Sequence, residues 1–242
     1  MHSYFLSDLH LTPDQPHVSA AFSEFLNTQA ATAQSIYILG DLFEYWVGDD
    51  AINDIGASDI LSAMRTVSKK VPCYFIAGNR DFLVGDDFSE LSGFKVLPDE
   101  TVIDLYGEPT LILHGDSLCS DDLKHQQFRQ NFVLNSMVCN LVLSQPIAER
   151  LALAQQARSK SQANNGSMNN NIMDVTETAV IDAFKNHKVR CMIHGHTHRQ
   201  NKHTYRINEE SATRYVLGDW HKTSSILKAD KYGITMENID II

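Results

Sequence analysis

Five short polar strings in this chain carry side chains able to hold a metal or move a proton. They are Ser7-Asp8-Leu9-His10, Gly40-Asp41, Gly78-Asn79-Arg80-Asp81, His114-Gly115-Asp116 and Gly195-His196-Thr197-His198. Their donors are carboxylate, amide and imidazole groups, with no thiolate among them. Such a set suits Mn²⁺, Fe or Zn more than a structural zinc. One residue separates Asp8 from His10, and one separates His196 from His198. On an extended segment each pair would point to the same side. The glycines ahead of Asp41, Asn79 and His196 permit sharp turns and close backbone approach. Two cations about 3.5–4 Å apart need a shared ligand, and a carboxylate is the natural bridge. Asp41 is the candidate. Any one string has a plainer explanation, such as a core histidine pair or a turn asparagine. All of them together, each after an apolar β-rich run, do not. His2, His17, His125, His187 and His203 lack this context and read as surface histidines. His194 ends its run inside the motif, where it is expected to pack or hydrogen-bond.

The elements that must position these strings are legible as apolar runs at Ser3–Ser7, Ile36–Leu39, Cys73–Ala77, Thr110–Leu113, Arg190–Ile193 and Tyr215–Leu217. They read as buried strands. Helical periodicity lies between the early ones, over Val18 to Ala30 and Ser58 to Lys70. Alternating strand and helix predicts an α/β sandwich, with the polar strings at strand C-termini, where such folds build sites. Thr101–Leu105 and Thr110–Leu113 flank Tyr106-Gly107-Glu108-Pro109, a β-hairpin pattern that makes the sheets mixed. From Ser120 to about Asn171 strand signals cease. Asp121–Leu143 and Pro146–Ser159 read as two helices, and a polar stretch runs from Ser159 to Asn171. Inside an α/β domain this is a helical insertion. Asp174–Asn186 is then a helix leading back to a strand.

The chain of 242 residues has a formal charge of −10 and 43% hydrophobic residues, an ordinary globular composition. The acidic balance argues against nucleic-acid binding, which needs phosphate neutralisation by Lys and Arg. Bound cations would reverse the sign locally and admit a phosphate substrate. Cys73, Cys119, Cys139 and Cys191 form no C-x-x-C pair, and the N-terminus lacks a basic leader. A reducing cytoplasm is expected. No apolar run is long enough for a membrane span.

With its D-x-H, G-D, G-N, later H and G-H-x-H strings in this order, the chain resembles the calcineurin-like metallophosphoesterases. The resemblance covers nearly the whole chain and implies an αββα sandwich of two mixed β-sheets flanked by helices. It implies one metallophosphoesterase domain over residues 1–242, with a helical insertion, or lid, at about 121–171. By the family pattern one metal takes Asp8, His10, Asp41 and His198, and the other takes Asp41, Asn79, His114 and His196. Asp41, Asn79, Arg80 and His114 are the catalytic set it implies. Many members have G-N-H-[DE], with the histidine near the leaving group; here Arg80 stands in its place. Arginine is not a proton donor at neutral pH but is a bidentate phosphate clamp. A phosphate monoester leaves as a stable anion without acid help, so Arg80 favours cleavage of a pyrophosphate over a simple diester.

Longer strings narrow the resemblance further: Tyr37 to Asp50, Gly78 to Gly85, His114 to Asp122, Ile172-Met173-Asp174-Val175 and His194 to Arg199. They are similar to members acting in bacterial lipid A biosynthesis, and imply hydrolysis of UDP-2,3-diacylglucosamine to 2,3-diacylglucosamine 1-phosphate and UMP. Metal-activated water would attack the α-phosphorus, with two Mn²⁺ per chain. The implied setting is peripheral, on the cytoplasmic face of the inner membrane, with no obligate protein partner. Substrate contacts implied are Asn79, Arg80, Asp122, His196, Ser161, Asn165 and Met168. Position 168 is commonly Lys in such members, so here the cation is lost, Lys160 replaces it, or the register shifts to Ser159 and Asn164. Two acyl chains need an apolar cleft, for which Phe128, Phe132, Val133, Met137, Leu141, Leu143, Leu151 and Leu153 are candidates. The alternative is a metallophosphoesterase acting on a soluble nucleotide or phosphoester, which would have no need of that cleft.

Overall fold

The computed structural model describes residues 1–165, 174–221 and 223–241. Its strands are β1 (Ser3–Leu6), β2 (Ser35–Leu39), β3 (Cys73–Ile76), β4 (Lys95–Leu97), β5 (Thr101–Leu105), β6 (Glu108–Ile112), β7 (Cys191–His194), β8 (Asn201–Ile207), β9 (Glu210–Val216), β10 (Thr223–Asp230) and β11 (Gly233–Asp240). They form a six-stranded sheet, β11-β10-β1-β2-β3-β4, and a five-stranded sheet, β5-β6-β7-β9-β8. Both are mixed: β1, β2, β3 and β4 run parallel and β10 antiparallel in the first, while β6, β7 and β9 run parallel in the second.

Alternation along the strands makes the layers. In β1, Tyr4 and Leu6 pack with Phe22 and Phe25 of α1 (Pro16–Asn27) and with Met64 of α2 (Ser58–Ser68). Phe5, between them, joins Leu39, Ile76, Ile112, Ile193 and Leu217 in the interior between the sheets. On the outer face of the second sheet, Leu111, Leu113 and Met192 bury Val180 and Phe184 of a helix over Glu177–His187. The order is helix, sheet, sheet, helix. Strands buried on both faces read as continuous apolar runs, which explains why the inner ones were legible. The short helix α3 (Asp86–Ser92) and strands β4, β8, β10 and β11 were not: β8, with Lys202, His203 and Arg206, is a polar edge strand.

The insertion departs from its expected form. Asp121–Leu143 is not one helix but α4 (Leu123–Phe128), a π-helical turn at Arg129–Val133 and α5 (Ser136–Leu143). Asn135 causes the break: its side chain accepts from Val138 N and starts a new helix. The next helix, α6 (Ile147–Asn165), runs past Ser159 into the polar stretch expected as connector. The returning helix, α7 (Glu177–His187), is capped by Thr176. Among the described residues no helix is long and apolar enough to cross a membrane.

Candidate metal centre

Five strand ends converge. Asp8 follows β1, Asp41 follows β2, Asn79 follows β3, His114 follows β6 and His196 follows β7. The local geometry is not the extended one expected for D-x-H and H-x-H. Asp8, His10, Asp41, His196 and His198 all have left-handed backbones, with φ of 56°, 49°, 51°, 67° and 57°. Non-local bonds hold them there: Asp8 N donates to Gly40 O at 3.1 Å and His10 N to Asp41 O at 3.0 Å. The glycines make room. A Cβ at Gly78 would lie 2.2 Å from Asp41 Oδ1, and one at Gly195 would lie 2.2 Å from Ser7 Oγ.

Five of the seven candidate side chains meet in two overlapping groups, and Asn79 and His196 adjoin the second. Asp8, His10 and His198 offer donor atoms within 4.8 Å of one another, and so do Asp8, Asp41 and His114. Asp8 stands in both groups, Asp41 in the second. Asn79 Oδ1 lies 3.2 Å from His114 Nε2 and 3.1 Å from His196 Nδ1. The outer nitrogens are engaged: His114 Nδ1 lies 2.8 Å from Leu39 O, and His198 Nδ1 lies 3.0 Å from Asp219 Oδ2. Such partners orient an imidazole toward a cation. Inside, His10 Nε2 and His198 Nε2 face each other at 3.3 Å, and buried Asp8 Oδ1 has no hydrogen-bond partner. So many carboxylate, amide and imidazole donors converging on one buried point fit divalent cations, which would displace the protons that His114 and His198 otherwise hold.

Charge agrees with this reading. Burial alone would depress His114, but Asp41, Asp8 and Asp116 outweigh it and raise it to about 9. His198 rises to about 10: burial opposes the shift, and Asp219 and Asp8 overcome it. Burial wins at His10, lowered to about 4 despite Asp41, and at His196, held well below its ordinary value by burial and then by His114. Burial would raise the Asp8 carboxyl, yet His198, His114 and His10 hold it below its ordinary range.

A model of the calcineurin-like phosphoesterases matches residues 1–200. The chain belongs to that family. The UDP-2,3-diacylglucosamine hydrolase of Yersinia pseudotuberculosis serotype O:1b (strain IP 31758) is 45% identical over 243 residues, covering 100% of this chain and 98% of that protein. The protein of the same name from Yersinia pestis bv. Antiqua (strain Angola) matches equally, at 45% over the same spans. A solved archaeal phosphodiesterase is 12% identical, with a TM-score of 0.47 over 99% of each chain.

Beside this candidate centre lies a cavity of about 470 Å³. Asn79, Arg80, Asp122 and His125 line its polar end, and Trp46, Phe82, Phe128, Phe132 and Leu153 its apolar part. Arg80 Nε is buried without a hydrogen-bond partner, and Arg80 N donates to Asp41 Oδ1 at 2.9 Å. Asp122 caps α4, accepting from His125 N at 2.9 Å. Of the eight candidate cleft residues, Phe128, Phe132 and Leu153 line the cavity; Val133, Met137, Leu141, Leu143 and Leu151 do not. Met137 and Leu141 are 80% and 63% exposed, because the break at Asn135 turns that face of α5 outward. His125 is no surface histidine: its ring packs on His196 and its Nε2 lies 3.5 Å from Asp116 Oδ2. His194 is buried, as expected, between Gly195 O and Arg214. Ser161 and Asn165 fall in the last turns of α6, and Met168 lies outside the described residues.

Some supporting groups escaped the sequence reading. Asp81 is buried and accepts from Gly78 N and Leu42 N, each at 2.7 Å, which ties the Asn79 turn to the Asp41 turn. Its position inside Gly78-Asn79-Arg80-Asp81 was the available signal. Asp219 sits in a Gly-Asp pair after β9, a repeat of the pattern at Gly40-Asp41. Glu44 joins Arg158 of α6 at 2.7 Å and lies 3.8 Å from His10.

Proposed function

We propose that this chain hydrolyses the pyrophosphate bond of UDP-2,3-diacylglucosamine, releasing UMP and 2,3-diacylglucosamine 1-phosphate, a step of lipid A biosynthesis. The observation that carries the reading is the cavity: an apolar chamber, walled by the insertion, begins at Asn79 and Arg80 of the candidate metal centre. A phosphate alone would leave it empty, whereas two acyl chains fill it. The full-length likeness to the Yersinia hydrolases supports the same substrate.

Asp8, His10, Asp41 and His198 would hold one Mn²⁺, and Asp41, Asn79, His114 and His196 the other, with Asp41 as bridge. When bound, the cations lower the pKa of water and neutralise phosphoryl charge. The chain's own groups do the rest. Arg80 donates to the phosphoryl oxygens as negative charge builds there. Water adds to the α-phosphorus and gives up its protons to solvent, the bond from that phosphorus to the bridging oxygen breaks, and the lipid 1-phosphate departs as an anion that needs no proton. Asn79 and His196 would orient the diphosphate and Asp122 the sugar end, for which Ser161, Asn165 and Met168 are further candidates by family resemblance alone. Leu123, Leu134, Met137 and Leu141 leave an exposed apolar face on the insertion. That face supports peripheral attachment to the cytoplasmic side of the inner membrane, where the substrate resides.

The test is release of UMP from UDP-2,3-diacylglucosamine in Mn²⁺. Turnover of soluble diesters with no UMP release would refute this substrate.

A further inference from the structure

Three arginines of the insertion reach carboxylates of the core. Arg129 pairs with Asp99 and Asp116, Arg158 with Glu44, and Arg150 with Asp50. The first two sets end near the candidate metal cluster: Asp116 lies 3.5 Å from His125, whose ring packs on His196, and Glu44 lies 3.8 Å from His10. Arg150 and Asp50 have no contact with the cluster among the described bonds.

The pair is nonetheless built with care. Arg150 stands in the first turn of α6 with its side chain 3% exposed. Nη1 donates to Asp50 Oδ1 at 2.7 Å and Nη2 to Oδ2 at 2.5 Å, while Nη1 also donates to Val47 O at 2.5 Å. A two-pronged fork of this kind fixes angle as well as distance. Gly48, between these partners, has φ +122°, and a Cβ there would lie 2.4 Å from Arg150 Nη1. Only glycine allows the loop to come so close.

The same loop is anchored on its other side. Asp49 accepts from Trp46 Nε1 at 2.9 Å, and from Gly85 N and Phe88 N at 3.0 Å each. Trp46 N donates to Arg80 O at 2.9 Å. Consecutive carboxylates thus divide the work: Asp49 ties the loop to the core, and Asp50 ties the insertion to the loop. Trp46 and Val47 are the core wall of the cavity, and Leu153, Ala154 and Ala157 of α6 belong to the facing wall. Arg150 itself lines the cavity between these walls, and Asp50, outside the lining, holds it.

We infer that Asp50 and Arg150 are a positioning pair that fixes the distance of α6 from Trp46, and so determines the preference for a two-chain lipid over a bare phosphodiester. The inference rests on the proposed lipid substrate. Neither residue touches the reacting atoms.

Asp50→Asn tests it, because Asp50 is 60% exposed and the amide keeps its shape. KM for UDP-2,3-diacylglucosamine should rise about tenfold with kcat nearly constant, the scale expected of a small misplacement. Hydrolysis of bis(p-nitrophenyl) phosphate should not change. Arg150→Lys, which keeps the charge and loses the fork, should raise KM for the lipid in the same direction. Binding provides a readout free of turnover: Trp46 emission titrated with micellar 2,3-diacylglucosamine 1-phosphate should show the same weakening. Trp220, packed on Phe22 and Phe25, gives a constant background. If wild type binds the lipid tightly and Asp50→Asn weakly, yet neither releases UMP, the proposed reaction falls and the positioning pair stands. Unchanged KM and unchanged binding in Asp50→Asn, or equal loss on lipid and diester alike, would overturn the pair.

Discussion

Asn79 and Arg80 are neighbours after β3 with different surroundings. The Asn79 amide is enclosed by two imidazoles, while the Arg80 guanidinium turns to the cavity with Nε unsatisfied. Arg80→Ala should therefore lower turnover about 100-fold, the usual loss for one donor to a developing anion. Metal content, read by elemental analysis, should stay intact. Arg80→His should not restore the rate, since the missing function is a fixed positive charge; recovery would reassign the role to proton transfer. Asp219 acts one bond further out. Asp219→Asn loosens the His198 ring, and cation affinity of the metal-free protein should fall about 10–100-fold. An unchanged binding isotherm would show that Asp219 does not orient His198.

At the scale of elements, the insertion separates two kinds of apolar residue that look alike in sequence. Leu153 on α6 lines the cavity, while Leu141 on α5 is turned outward. Leu153→Asp should raise KM for the diacyl substrate in detergent about tenfold, the lower end of the roughly 1.5–3 kcal/mol for covering a leucine, since Leu153 is half exposed until an acyl chain lies on it. Leu141→Asp should leave that KM unchanged but weaken sedimentation with phospholipid vesicles. If both variants behave alike in both assays, the division fails. Leu141 was misplaced because the helical period was read through Asn135, where a side-chain cap restarts the helix out of phase. The inner strands were legible because burial on both faces leaves unbroken apolar runs. The β10–β11 hairpin was not, because residues such as Ser224, Lys228, Thr235 and Glu237 alternate polar groups along it. The ligand strings were read by residue type, but not their left-handed backbones, which depend on bonds to turns some 30 residues away. Likewise Asp50 and Arg150, 100 residues apart, had no signal in either neighbourhood.

For the whole molecule, the buried imidazoles set how stability follows pH when the cations are stripped by a chelator. His114 and His198 have folded values near 9 and 10, above the ordinary 6.5. Their contribution is complete below 6.5 and is lost as pH rises through those values. The share from His198 is damped, since its ring is 34% exposed to solvent. His10 and His194, at about 4 and about 3, contribute in the opposite sense, fully above 6.5 and progressively less as pH falls toward those values. The metal-free protein should thus be most stable near pH 6.5 and melt earlier on either side, as thermal unfolding from pH 4 to 10 would show. Mn²⁺ should flatten the alkaline limb, because cations displace the two protons. An alkaline limb that is equally steep with and without Mn²⁺ would contradict this. Chelation should also abolish turnover and Mn²⁺ restore it; full activity in the stripped protein would end the metal-dependent account.

The left-handed backbones at Asp8, His10, Asp41, His196 and His198 have an evolutionary reading. A side chain in that conformation costs roughly 1–2 kcal/mol relative to glycine, which is at home there. The fold carries that penalty at five positions, partly offset by the bonds these side chains make, such as Arg80 N to Asp41 Oδ1 and His196 N to Asp8 Oδ2. A descendant released from selection for hydrolysis should lose these side chains early, drifting toward glycine at the turns while Phe5, Ile38 and Ile193 stay fixed. Extinct activity in such a lineage would be written first in its backbone angles, before its core had changed at all.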